Sequence, residues 1–160
     1  MSLYHNIHCK IWNDDKFPFA SSDCQLVFFH LLTTPMGTQF GLFKASIPAL
    51  AAEKRWSVKR YRKALNEVLN LEMGKIDEHV QVVLIPRFLK YNPPHNPNVL
   101  ISWSKTFRQL PNCDLKNEFL QILRTQINGM LSESFRESFK VHFENVLVTA
   151  NATATASVKE

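Results

Sequence analysis

Between Lys54 and Lys63 the chain carries six cationic side chains, Lys54, Arg55, Lys59, Arg60, Arg62 and Lys63, with no carboxylate among them. Ammonium and guanidinium groups at this density recognise phosphate, and on a helix they also reach the guanine edges exposed in a major groove. Asn66 lies three residues beyond, and its amide can pair with an adenine edge. Catalytic chemistry has no comparable signature. There is no Gly-rich phosphate loop, no GxSxG and no HExxH, and the chain holds only four glycines. His5, His8 and Cys9 resemble metal ligands, but on an extended segment His5 and Cys9 face away from His8, whereas zinc needs four converging ligands. The expectation is a binding protein, not an enzyme, with no metal and no cofactor.

The composition supports a folded scaffold for such a cluster. Of 160 residues 45% are hydrophobic, including twelve phenylalanines and three tryptophans, enough for one ordinary domain or a small domain with a helical extension. The formal net charge of +5 favours an anionic partner. Cys9, Cys24 and Cys113 are odd in number and widely spaced, which argues against a disulfide framework and for a reducing compartment. The N-terminus lacks a signal-peptide profile and no apolar run is long enough to span a bilayer, so a cytoplasmic protein with no membrane partner is expected.

Along the chain, Tyr4 to Trp12 alternates and reads as a strand. Ser22 reads as the N-cap of a first helix, with Gln25 three residues on, and the helix is apolar on more than one side. A loop from Thr33 to Gly41 precedes a short second helix from Ser46 to about Glu53, with Pro48 in its first turn. Lys54-Arg55-Trp56 forms a tight turn, and Ser57 caps a third helix reaching about Leu71. Gly74 to Ile85 reads as two short strands around a polar turn near Asp77 to His79. Tyr91 to Pro97 is dense in breakers and reads as a linker. Beyond it come an amphipathic helix from Asn98 to Leu110, a helix from Asp114 with Leu115, Phe119, Leu123 and Ile127 at four-residue spacing, and a repeat of that spacing at Phe135, Phe139, Phe143 and Leu147. Gly129 and Ser132 break the last two apart.

The order of these elements is that of a winged helix-turn-helix, an α+β fold, over residues 1–91, followed by a helical extension over 92–148 and a disordered Ala/Thr/Ser-rich tail over 149–160. At about 100° per residue, Val58, Tyr61, Leu65, Val68 and Leu69 of the third helix face inward. Lys59, Arg60, Arg62, Lys63 and Asn66 fan across the other side, toward duplex DNA. Lys54 and Arg55 in the turn and Lys75 at the hairpin are candidates for phosphate contact. Lys44 and Ser46 are also placed for it, although capping alone accounts for Ser46. Trp56 reads as an anchor for the turn, His30 as a satisfied core histidine, and Cys24 and Cys113 as small apolar core residues.

After the hairpin, Ile85-Pro86-Arg87-Phe88-Leu89-Lys90-Tyr91-Asn92-Pro93-Pro94, then Asn96-Pro97-Asn98-Val99, Trp103-Ser104-Lys105 and Leu110-Pro111, resembles phage and prophage replication proteins of the initiator-like or helicase-loader-like kind. Lys10 to Phe17 and Phe29 to Pro35 are similar to the same group, so the likeness extends over roughly the first 120 residues as short matches. The resemblance implies an N-terminal winged helix that holds origin DNA and a C-terminal region that engages a replication partner such as a replicative helicase. Members of that group commonly have a longer C-terminal region, which implies a truncated or remnant member here. No ATPase motif is present, so loading driven by ATP hydrolysis is not expected. Pro86, Tyr91 and Asn92 also have a structural reading, ending the wing strand and fixing the angle at which the later helices pack back. Two other functions use the same elements: a winged-helix transcriptional regulator, and a protein-interaction module without DNA binding that works through the aromatic helices from Trp103 onward, by Phe135, Phe139 and Phe143 where they are not buried.

Overall fold

The computed structural model describes residues 4–144, and among them the chain forms seven α-helices and one small antiparallel sheet, an α+β architecture. Two compact units result. One comprises the described chain up to Pro93 together with Leu110–Phe119, and the other Pro94–Gln109 with the described chain from Leu120 onward.

In the first unit, helix α1 (Ser22–Thr33) is capped by Ser21, whose hydroxyl accepts from the Cys24 amide. The expected cap, Ser22, is therefore the first helical residue. The Glu67 carboxylate accepts from the Ser21 amide at 2.8 Å and from its hydroxyl, so an acid from a later helix takes the reciprocal role expected of Gln25. Cys24, Val27 and Leu31 are buried while Leu26 is exposed, so the helix presents a single inward face.

Strand β1 (Leu42–Lys44) comes next, then α2 (Ile47–Lys54), α3 (Val58–Asn70), β2 (Lys75–Asp77) and β3 (Val82–Leu84). The sheet order is β1-β3-β2, with Phe43 opposite Val83 and Ile76 opposite Val83 on the other side. Central β3 is buried throughout, as a strand covered on both faces must be. At the hairpin tip Asp77 Oδ1 accepts from the amides of His79 and Val80, and Gln81 takes a left-handed φ of 60°. Helix α4 (Phe88–Tyr91) is a single turn.

The strand expected over Tyr4–Trp12 does not form. His8 Nδ1 instead accepts from the Lys10 amide, and a 3-10 turn runs over Cys9–Asn13. A side chain that bonds to its own backbone in this way competes with strand pairing. The sheet's first strand lies at Leu42–Lys44, directly after the expected loop, in a run too short to display alternation.

The second unit comprises α5 (Pro97–Gln109), the part of α6 (Asp114–Asn128) from Leu120, and α7 (Glu133–Phe139), which continues as a π-turn over Lys140–Glu144. Its core gathers Leu100, Trp103, Phe107, Leu123, Ile127, Phe139 and Phe143. Phe139 and Phe143 stack at 5.6 Å, and Phe143 meets Phe107. Phe139 and Phe143 are buried in the unit's own packing, and of the three rings only Phe135 is half-buried. Leu147 and the expected tail over 149–160 lie outside the described residues.

Gly41 is fixed by two constraints at once. Its φ is +78°, and a Cβ there would lie 2.5 Å from the Phe88 side chain. Its carbonyl also receives the Ile85 amide at 2.9 Å, extending the pairing of β1 with β3. Left-handed strain and overpacking each cost about 1–3 kcal/mol. Gly41→Ala is expected to lower stability by about 3 kcal/mol, read as a fall in the thermal midpoint, whereas Gly129→Ala, with no atom closer than 3.4 Å to the added carbon, should change it little.

Candidate nucleic-acid interface

Helices α2 and α3 are joined by Arg55, Trp56 and Ser57. Arg55 adopts φ 59°, ψ 37°, and its amide and that of Trp56 return to Ala52 and Ala51 carbonyls at 3.0 Å each. This closes α2 with a left-handed residue where glycine is the usual choice. Ser46 caps α2 by accepting from Ala49, and Ser57 caps α3 by accepting from Arg60. With both ends satisfied the turn is short, and α3 emerges with its first amides and first side chains together.

Tyr61, Ala64, Leu65 and Val68 form the buried side of α3, while Leu69 is half-buried. Val58, expected inward, is 43% exposed because it is the first helical residue and lies beyond the packed face. Lys59, Arg60, Arg62, Lys63 and Asn66 are all exposed, as the helical spacing requires. Lys59, Lys63 and Asn66, at steps of four and three, lie along one stripe.

The six cations do not share one state. Arg60 makes a two-pronged ion pair with Asp23 of α1, both contacts at 2.9 Å, and its guanidinium lies 3.8 Å from the centre of the Trp56 ring. That hydrogen-bonded guanidinium holds the Asp23 carboxyl below its ordinary range, and the pairing raises Arg60 in turn. Arg62 pairs with Glu78 at the hairpin tip at 2.8 and 3.3 Å, which raises Arg62 likewise. Lys54 lies 4.5 Å from the centre of the Trp56 ring. Trp56 is thus half-buried and serves as a platform for two cations as well as an anchor for the turn. Lys59 and Lys63 form no ion pair with any described residue, nor does Arg55. The field of this face therefore comes chiefly from Lys54, Arg55, Lys59 and Lys63.

Lys75 stands in another setting, bonded to Glu118 at 2.6 Å and lining a cleft that includes Lys10, Lys16 and Arg87. Lys44 is exposed beside the start of α2, near a small groove of about 80 Å³ bounded by Ser46, Arg62, Glu78 and Gln81.

Beneath this face lies a polar chain that crosses three helices. The Tyr61 hydroxyl meets His30 Nδ1 at 2.8 Å, His30 Nε2 meets Glu53 Oε1 at 2.7 Å, and the Thr34 hydroxyl donates to the same oxygen at 2.7 Å. Burial, with a lesser contribution from Glu53, pushes the Tyr61 phenol well above its usual value. The expected satisfied histidine is found at His30, but its partners Glu53 and Tyr61 carried no sequence signal beyond their helical positions. Cys24 is fully buried, and desolvation pushes its thiol up to about 11. Cys113 is half-buried and Cys9 exposed.

Tyr61→Phe removes the partner of His30 Nδ1 and is expected to cost about 1–3 kcal/mol by chemical denaturation while leaving the exposed cations in place. Thiol labelling should distinguish the cysteines at pH 8, with Cys9 reacting first and Cys24 reacting only after the chain unfolds. Because its folded value is raised, Cys24 favours the fold below pH about 9, and that contribution fades as the pH climbs to about 11.

Compared with protein-family models, curated proteins and solved structures, the chain finds no match. What it does must be read from its own geometry.

Proposed function

We propose that the first unit is a winged helix-turn-helix that binds duplex DNA, with α3 in the major groove and the β2–β3 hairpin as its wing. The observation that carries this reading is the stripe of Lys59, Lys63 and Asn66, exposed and outside any ion pair among the described residues, on the second helix of a helix–turn–helix. The order α1-β1-α2-α3-β2-β3 and the sheet order β1-β3-β2 support the same fold. Lys54 and Arg55 flank the groove-entering helix and suit phosphates, as do Lys44 and the capped start of α2.

Arg60 and Arg62 enter differently from the lysines. Each is neutralised at rest by a carboxylate, so each must exchange that partner for a phosphate or base to contribute. Asp77 and Glu78 make the wing tip acidic, and Lys75 is engaged by Glu118, so this wing offers little to the backbone. Grip by the helix outweighs grip by the wing. Within the cell we propose a role in replication initiation of the phage type, with a replicative helicase or similar protein as partner, on the strength of the sequence resemblance around Ile85–Pro94 and Leu110–Pro111.

Fluorescence anisotropy of a labelled mixed-sequence duplex across a salt series tests the DNA reading. Lys59→Ala/Lys63→Ala is expected to weaken binding at least about tenfold and to reduce the log–log salt slope by about 1.8, at about 0.9 per phosphate contact. Asp23→Asn and Glu78→Gln should each tighten binding severalfold, because each releases an arginine and removes a negative charge. Arg55→Gly relieves a left-handed residue while deleting a cation, so it should weaken binding without loss of stability. Absence of salt-sensitive binding by the wild-type chain, or equal binding by the lysine variant, would sink the proposal.

A further inference from the structure

A cleft of about 330 Å³ opens on the first unit between the N-terminal segment and the body of the unit. Its size falls at the lower end of the about 300–1,000 Å³ that small-molecule sites occupy. The N-terminal wall is held by two polar contacts between Asn6 and Asn92, at 2.6 and 3.2 Å, and by His5 packing edge-on against Phe88 at 5.0 Å. The groove-facing side of α3 does not line this cleft, and Lys75, the one candidate DNA contact that does, is engaged by Glu118.

Its lining is graded. Phe17, Ile85 and Phe88 are buried at its base, with half-buried Phe28 and Leu32 beside them. Toward solvent the lining turns cationic, with Lys10, Lys16, Lys75 and Arg87 against two carboxylates, Asp14 and Glu72. Those carboxylates are not equally available. Asp14 accepts from the amides of Lys16 and Phe17 and from Arg87, bonds that hold its carboxyl below the ordinary range. Glu72 is 78% exposed and meets Lys16 only at 3.7 Å. Lys10 forms no ion pair with a described residue. Lys75 is engaged by Glu118 and Arg87 by Asp14, so the uncompensated positive charge over the aromatic and aliphatic base comes from Lys10, with Lys16 held only loosely.

We infer that this cleft is a binding site for a small amphipathic anion, an apolar ring or short chain bearing one carboxylate or sulfonate. The apolar body replaces water against Phe17, Phe28, Leu32 and Phe88, and the anionic end lies at Lys10 and Lys16. A cation of the same shape meets Lys10, Lys16 and Arg87 and is repelled. A neutral analogue gains the apolar contacts alone.

Calorimetric titration of the full chain with 2-naphthoate, 2-naphthylmethylammonium and neutral 2-naphthamide tests the assignment. The expected order is the carboxylate tightest, the amide weaker, and the ammonium weaker than the carboxylate by at least about tenfold. Lys10→Gln/Lys16→Gln, at the solvent edge, is expected to remove the preference for the carboxylate and leave amide binding unchanged. Leu32→Trp, which fills the base, should abolish binding of all three while the chain still melts cooperatively. The assignment is overturned if the three probes bind alike, if none binds at millimolar concentration, or if the lysine variant keeps the charge preference. Because the readout involves no DNA, its failure leaves the groove-binding helix untouched, and failure of DNA binding leaves this site standing.

Discussion

Tyr61 has no exposed surface, yet it carries a hydroxyl on the helix whose opposite side is cationic. A buried hydroxyl without a partner is costly, so the position is tenable only because His30 reaches it from α1 and Glu53, at the end of α2, holds the other side of the imidazole. Thr34 donates to the same carboxylate oxygen. Three helices are thereby tied at one polar seam, within a unit whose buried core includes Cys24, Val27, Leu50 and Leu65. The consequence for the surface is geometric. Once Tyr61 and Leu65 point inward, positions 59, 63 and 66 have nowhere to go but outward. The buried face of α3 thus determines which cations meet solvent, and the polar seam adds to the hold on that face.

The outer face obeys a second constraint. Six like charges within ten residues repel one another, and the fold relieves that repulsion by bringing Asp23 to Arg60 and Glu78 to Arg62. Exposed pairs of this kind contribute little to stability. Their effect is rather on the field, since the two arginines are neutralised and Lys59 and Lys63 are left without an ion pair among the described residues. Lysine carries a compact charge on a flexible stem, whereas each paired arginine is fixed by its carboxylate, and Arg60 is oriented further by the Trp56 ring.

What the sequence made legible was local. Ser46 and Ser57 as caps, Pro48 in a first turn, the two faces of α3 and the hairpin at Lys75–Leu84 arise from rules that act within a few residues. The turn at Arg55 was legible even without a glycine, because a cap residue stands two positions on. Non-local pairings were hidden. Arg60 and Asp23 are 37 positions apart, and Ser21 and Glu67 are 46 apart, so no spacing rule joins them. The segment from Tyr4 to Trp12 misled because alternation measures only the availability of two faces. A strand also needs an edge to pair with, and here His8 turned the backbone back on itself before any pairing. The three residues of β1, by contrast, needed no pattern, only β3 beside them.

That same N-terminal segment forms a wall of the cleft, held by a few contacts, with Leu71, Glu72 and Met73, just past the end of α3, contributing to the lining. Glu72 sits there with a left-handed φ of 57°, a conformation that costs a non-glycine residue energy and that the closing bonds of α3, from Leu71, Glu72 and Met73 back to Glu67, Leu69 and Val68, maintain. One helix thus serves two surfaces. Its first half carries the exposed Lys59 and Lys63, and the turn that ends it borders an apolar cleft with lysines at its mouth. Both surfaces are rich in lysine, but they differ in depth: the first is an exposed helix face, whereas the second has Phe17, Ile85 and Phe88 buried at its base.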